Sequence, residues 1–483
     1  MKTRFCLLLV LLFLCLFSAS ALTEALQIPE PTLSPNAQKY DEAHPEDLAA
    51  DQLYALSAIL VSADTGEVIF DKDPDVLRYP ASTTKILTVL LALENIDDLD
   101  QIVTVSDYAV MLPDDSSVMG LQAGEELPLI DVLYGTILLS GNDGANVIAE
   151  TVSGSVPAFV DLMNRTAAMY GCENTHFTNP HGLHDDNHFS TARDLAIIAR
   201  EAMKNETFRK IAATTEYHIA RTNKQRARTI TVKNPYLRED GNENLKKYYY
   251  PYATGIKTGT LSTSGYCFVG SAEKDGLSLI SVVLFTGNRA RWADTIKLMN
   301  YGFSQYMSVT PMELYRMNPV TVVTSNYSLS DSSLGSLQLL CRLPDGVTEP
   351  RIVATNNEIK RMAKNLTDTM QITYTRSLSA PIAAGEQVGT MTYYQSFGEP
   401  IVYPLVASRT VEQRENVPKT LEEIYNETAA DPNFLPPFSV ELVLVLASPL
   451  LLIGLLVGAV IFLRKRHRAS RFRAPRPVNR FVK

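Results

Sequence analysis

Leu442 to Leu463 is 22 residues long and carries no charged side chain, and nine Lys and Arg residues follow it before the chain ends. At about 1.5 Å of rise per residue, a helix of that length crosses a hydrocarbon layer about 30 Å thick. No acidic residue follows Leu463, so the positive-inside rule assigns residues 464–483 to the cytoplasm as a basic tail. At the other end, Met1-Lys2-Thr3-Arg4 precedes an apolar run from Phe5 to Phe17 and then Ser18-Ala19-Ser20-Ala21. A basic start, a short apolar core and an A-x-A close predict a secretory signal peptide over residues 1–21, cut after Ala21. Both ends predict one topology. A single C-terminal transmembrane helix over 442–463 anchors the chain in the cell membrane, with everything before it on the extracytoplasmic side.

Between these ends, 33 Lys and Arg face all 53 acidic residues of the chain. That surplus argues against nucleic acid as a partner, because phosphate recognition needs clustered cations. Three cysteines remain after export, Cys172, Cys267 and Cys341, far apart and without C-x-x-C spacing. No disulfide framework is expected, so stability must come from a packed core. With 483 residues, 46% of them hydrophobic, the chain has material for two or three folded units.

Residues 22–50, with Pro29, Pro31, Pro35 and Pro45, read as a flexible leader. From 51 to 308 the pattern mixes strands and helices. Ala55–Ser62 and Val68–Phe70 predict a strand pair, and Leu279–Phe285 another strand after a loop rich in Gly, Ser and Thr. Helices are predicted over Ser82–Leu93, Leu129–Leu139, Gly144–Val152, Val156–Tyr170 and Thr191–Met203. Residues 311–407 show short alternating runs separated by Asn318-Pro319, Pro344-Asp345-Gly346 and Ala384-Gly385-Glu386, which predicts a small all-β domain. A polar connector over 408–441 completes the extracytoplasmic part.

Three short sequences carry chemistry, in this order: Ser82-Thr83-Thr84-Lys85, Ser140-Gly141-Asn142 and Lys257-Thr258-Gly259. A serine hydroxyl is a weak nucleophile and needs an adjacent base. Residues three apart on a helix share a face, so Lys85 can meet Ser82. Burial and a nearby cation such as Lys257 would lower the lysine pKa enough for it to accept a proton. Each triplet or quartet alone is a weak signal; the ordered set is a strong one.

The stretches Tyr79–Thr88, Ser140–Asn146, His181–Leu183, Ser190–Ala196 and Gly255–Thr260 resemble the serine D-alanyl-D-alanine carboxypeptidases, the low-molecular-mass penicillin-binding proteins. The likeness runs from about residue 50 to 305, and weakly on through Pro381–Gly389. It implies an α+β penicillin-binding, serine β-lactamase-like transpeptidase fold, with an antiparallel sheet and helices. It also implies cleavage of the terminal D-alanine from peptidoglycan pentapeptides without a cofactor, and inhibition by β-lactams. Carried over by position, Ser82 is acylated, Lys85 takes its proton and Ser140 relays a proton to the leaving group. Asn142 orients the substrate, and Lys257 and Thr258, followed by Gly259, bind the terminal carboxylate. The backbone N–H groups of Ser82 and Thr260 form the oxyanion hole. Arg291 adds to carboxylate binding, with Arg289 as the alternative. The uncharged span is a departure from members that end in an amphipathic helix.

Three rival readings stand beside this one. A serine β-lactamase shares the motifs but needs a carboxylate to activate the deacylating water. Between Cys172 and Ser190 the acidic residues are Glu173, Asp185 and Asp186, none in a pattern for that role. A zinc site is the second rival, because His176, His181, His184 and His188 lie close together beside Asp185 and Asp186. A polar loop without metal is the favoured alternative, since no helical ligand spacing is present. The third is a non-catalytic wall-binding protein that keeps the fold.

Overall fold

The computed structural model describes residues 34, 36–239, 243–395, 398–415, 421–423, 426 and 452–461. Five strands form the central sheet: β1 (Ser57–Ser62), β2 (Val68–Lys72), β3 (Ala253–Leu261), β4 (Gly265–Lys274) and β5 (Leu277–Thr286). Their order is β2-β1-β5-β4-β3, every neighbouring pair antiparallel. The first strand pair of the chain therefore meets the last three, and the helices between them fold onto one face. β1 and β5 are buried nearly throughout, which a central strand covered on both faces requires.

The longer helices of this part are α1 (Lys85–Asn95), α2 (Leu129–Leu138), α3 (Asn142–Ser153), α4 (Val156–Met169), α5 (Ala192–Lys204), α6 (Glu206–Ala213) and α7 (Ala290–Gln305). In α1 every residue from Lys85 to Ala92 is buried, the mark of a helix enclosed by its neighbours. Ile86, Leu87, Val89 and Leu90 join Ile148, Phe159, Leu195 and Ile280 in the larger core. On the other face Trp292, Leu298 and Met299 of α7 pack with Phe268, Leu60 and Tyr236.

Four expectations need correction. The stretch before Leu279, read as a loop rich in Gly, Ser and Thr, contains the whole of β3 and β4. Glycine and threonine suit an edge strand here because the register to β4, Lys257 opposite Val269 and Gly259 opposite Cys267, supplies the pairing. The leader is packed, not loose, from residue 36 onward. Three short turns, Ala37–Lys39, Pro45–Asp47 and Ala50–Gln52, bury Ala37 and Leu48, and the Lys297 ammonium donates to Ala37 O at 2.8 Å and Gln52 O at 2.7 Å. The region after 308 is not all-β. Besides Ser336–Cys341, Met370–Tyr374, Gln387–Tyr393 and Ile401–Ala407 it contains helices Pro311–Met317, Asn356–Lys364 and Leu366–Thr369. Capping boxes, Thr310 with Glu313 and Thr355 with Glu358, start the first two of these helices. Lastly, Ser82 belongs to a 3₁₀ turn, Ala81–Thr84, and α1 begins only at Lys85.

The described residues divide into two compact units. One comprises those up to Val322, with Ser336–Leu378 and Ala383–Thr410; the other comprises Val323–Gly335, Ser379–Ile382 and those from Val411 onward. Within the second, Tyr327 bridges to Gln413 and Ile382 to Val411. The signal peptide lies outside the described residues. Of the span Leu442–Leu463 only 452–461 is described, as helix with exposed side chains. Among the described residues no helix is long and apolar enough to cross a membrane.

Lys297→Ala removes a buried donor to two carbonyls and should cost about 2 kcal/mol. The expected results are a melting temperature lowered by several degrees and faster proteolysis within residues 36–50. An unchanged digestion pattern would show that the turns hold without this lysine.

Candidate active site

The three motifs converge from separate elements. Ser82 stands on the 3₁₀ turn and Lys85 on the first residue of α1; in a 3₁₀ turn residues i and i+3 eclipse, so their side chains meet. Lys85 Nζ lies 2.9 Å from Ser82 Oγ. It also donates to Asn142 Oδ1, at the start of α3, and to the His181 carbonyl, each at 2.6 Å. Lys85 is fully buried. Burial first, then the charge of Lys257, holds its pKa well below the ordinary lysine range, against a smaller opposing pull from Asp143.

A cleft of about 180 Å³ opens beside this group, walled by Ser82, Ser117, Ser140, Asn234, Thr258, Gly259, Thr260 and Arg291 among others. Ser140 adopts a left-handed backbone, φ 64°, in the turn between α2 and α3. Lys257 is buried on β3, its Nζ donating to Thr258 O at 3.1 Å, and burial together with Arg291 brings its pKa down to about 7. Arg291 reaches the cleft: Nη1 donates to Thr260 Oγ1 at 3.0 Å and to Gly259 O at 3.3 Å. Its guanidinium lies over the Trp292 and Tyr266 rings. Arg289, two residues earlier, instead lines a different hollow with Tyr40, Tyr54 and Tyr248.

Two glycines are demanded by close approach. A β-carbon on Gly259 would press on the Pro80 carbonyl, and one on Gly182 (φ 84°) would run into the Ala81 carbonyl. Both lie against the turn that carries Ser82, so that turn is clamped between β3 and the loop 179–183.

Two contributors escaped sequence reasoning. The His181 carbonyl is a backbone group, and no side-chain pattern reports it. Asp143, next to Asn142, is buried and accepts four backbone N–H groups at 2.9 Å, from Met119, Gly120, Leu121 and Gly144. It thereby pins the loop that brings Ser117 to the cleft. Its position in Ser140-Gly141-Asn142-Asp143, at the N-terminus of a helix, was the available signal.

The side chains of His176, His184 and His188 have separate partners. His176 Nδ1 lies 2.6 Å from Asn187 O, and His184 lies 3.5 Å from Asp186 and edge-on to Tyr79. His181 and His188 are buried, and burial lowers each pKa to about 3, which keeps both rings neutral. Among the described residues no group of three or more His, Cys, Asp or Glu could hold a metal ion.

A family model described as D-alanyl-D-alanine carboxypeptidase matches residues 43–288, and one described as penicillin-binding protein 5, C-terminal domain, matches residues 352–413. D-alanyl-D-alanine carboxypeptidase DacF of Bacillus subtilis (strain 168) is 31% identical over 389 residues, covering 78% of this chain and 90% of the relative. DacC of Escherichia coli (strain K12) is 30% identical, covering 75% of this chain and 86% of its own length. D-alanyl-D-alanine carboxypeptidase of Streptomyces sp. (strain K15) is 36% identical over 265 residues, 52% of this chain and 87% of that one. The first family model alone spans half of the sequence and contains all three motifs, so the chain belongs to the D-alanyl-D-alanine carboxypeptidase family of serine peptidases.

Proposed function

We propose that this enzyme removes the terminal D-alanine from peptidoglycan stem peptides through an acyl-enzyme on Ser82. One observation carries the reading. A neutral amine has two N–H bonds and one lone pair. The two carbonyl oxygens around Lys85, Asn142 Oδ1 and His181 O, take the N–H bonds, which leaves the lone pair for the Ser82 hydroxyl. Lys85 then accepts the Ser82 proton as Oγ attacks the carbonyl carbon between the two D-alanines. The C–N bond breaks, and the proton passes from Lys85 through Ser140 to the departing amine. Water, deprotonated by Lys85, cleaves the ester and regenerates Ser82. The backbone N–H groups of Ser82 and Thr260 stabilise the oxyanion, and Lys257, Thr258 and Arg291 receive the terminal carboxylate.

β-Lactams bind as acylating inhibitors. No aspartate or glutamate lines the cleft among the described residues. A penicilloyl group on Ser82 therefore has no carboxylate to deliver water to it, and this disfavours the β-lactamase reading. We further infer export by the signal peptide 1–21 and anchoring by 442–463, with the enzyme on the outer side of the cell membrane. Their support is the charge pattern of the two ends.

Intact-protein mass after benzylpenicillin should show one adduct, absent in Ser82→Ala, that outlives many turnovers of a D-Ala-D-Ala peptide. Rapid multiple turnover of penicillin with negligible D-alanine release would assign the protein to the β-lactamases. The dependence of kcat/KM on pH has a defined sign. Lys85 must be neutral, so the rate rises as its proton leaves. Lys257 must be charged to hold a carboxylate, so the rate falls as pH passes about 7. A flat profile from pH 6 to 9 would exclude Lys257 as the titrating carboxylate ligand. Removal of residues 438–483 should release active enzyme from membranes; a truncated form that stays bound has another anchor.

A further inference from the structure

We propose that His188 and Thr84 are positioning residues that aim the backbone N–H of Ser82 into the reaction cleft through a one-way chain of hydrogen bonds. The proposal rests on Ser82 being the nucleophile and its N–H an oxyanion donor.

The direction of the chain follows from its first link. The Thr178 backbone N–H donates to His188 Nδ1 at 3.1 Å, so Nδ1 carries no proton. A neutral imidazole then holds its proton on Nε2. Nε2 lies 2.9 Å from Thr84 Oγ1 and must be the donor there. The Thr84 hydroxyl, having accepted, spends its own proton on the Ala81 carbonyl at 2.8 Å. All three groups are buried, so water does not compete for these links.

The last acceptor is the decisive one. In a trans peptide the carbonyl and the N–H point in opposite directions. Holding Ala81 O toward Thr84 therefore turns the N–H of the same peptide, that of Ser82, the other way. Ala81 itself has φ 49°, a left-handed conformation that a residue with a β-carbon leaves when nothing holds it. Gly182 closes on the same carbonyl from the next loop, where no β-carbon fits. The strained residue before the nucleophile is thus gripped by Thr84 and backed by Gly182. The chain also gives a role to two residues that take no part in bond making or breaking, Thr84 inside Ser82-Thr83-Thr84-Lys85 and His188 in the histidine-rich loop.

Acylation by benzylpenicillin and hydrolysis of a D-Ala-D-Ala peptide, read on four variants of the whole extracytoplasmic chain, test this. Thr84→Val keeps shape and removes the hydroxyl; it should slow acylation and lower kcat about 10- to 100-fold with KM for the peptide nearly unchanged. Thr84→Ser restores the hydroxyl and should recover most of the rate. His188→Leu should behave like Thr84→Val, whereas His188→Gln, whose amide can still donate to Thr84, should fall between it and the parent. Should Thr84→Val not fold, as thermal unfolding would show, the His188 pair reads the same chain from its far end. Parental acylation rates in Thr84→Val and His188→Leu overturn the proposal, as does a Thr84→Ser variant no faster than Thr84→Val. Those outcomes leave the carboxypeptidase reading intact, because the parent and Ser82→Ala test it separately.

Discussion

A lysine amine held out of water between two carbonyl oxygens and a serine hydroxyl is the constraint around which the other parts are arranged. A buried ammonium is far more costly than a buried amine, so burial favours the form of Lys85 that can accept a proton. That cost is bearable only if the amine's two N–H bonds find acceptors. The N-terminus of α3 supplies one through Asn142, and the loop 179–183 supplies the other through the His181 carbonyl. The site needs these elements at fixed distances, and the enclosed helix α1 holds Lys85 where they meet.

Positive charge around the cleft is graded. Lys85 has its pKa lowered by burial and by Lys257, and Lys257 by burial and by Arg291. Arg291 is itself lowered to about 10, chiefly by burial, and its guanidinium lies against two aromatic rings. The series from Ser82 to Arg291 thus runs from the lysine whose charge is most disfavoured to a persistent cation, which suits a substrate with a scissile amide at one end and a carboxylate at the other. In a chain with a large acidic surplus, these cations sit where the substrate carboxylate is expected, not on an open face.

The loop between Cys172 and Ser190 looked most like a metal site in the sequence and turns out to be a structural brace. Its two buried histidines are neutral, and one begins a hydrogen-bond chain that ends on the residue before the nucleophile. Dense histidine in a linear sequence reports only proximity along the chain. Whether imidazoles share an ion depends on the partners each ring finds, and here His176 pairs with the Asn187 carbonyl while His188 pairs with Thr84 and the Thr178 N–H.

Residue types and local spacing were enough to identify the chemistry. The Ser82–Lys85 interval marked a candidate nucleophile and base, the resemblance that the ordered motifs carry implied a carboxylate site at Lys257, and apolar periodicity marked five helices to within about three residues at either end. Strands β3 and β4 were missed because the glycines and threonines of β3 become a sheet edge only when β4 offers a partner, and β4 is itself paired to β5. The helices at 311–317 and 356–364 were missed because short turns started by capping boxes have little periodicity to read. The packed leader depends on Lys297, more than two hundred residues away in the chain. The choice between Arg291 and Arg289 was likewise out of reach of spacing, since two residues apart on a helix means nearly opposite faces. Sequence by itself determined the family and the candidate reacting groups, because reactivity belongs to the residue type. Only the tertiary structure decided that burial and Lys257 pull the Lys85 pKa down, that a backbone carbonyl completes its shell and that Ala81 is held in a strained turn, because burial and approach are set by segments that meet only when the chain folds.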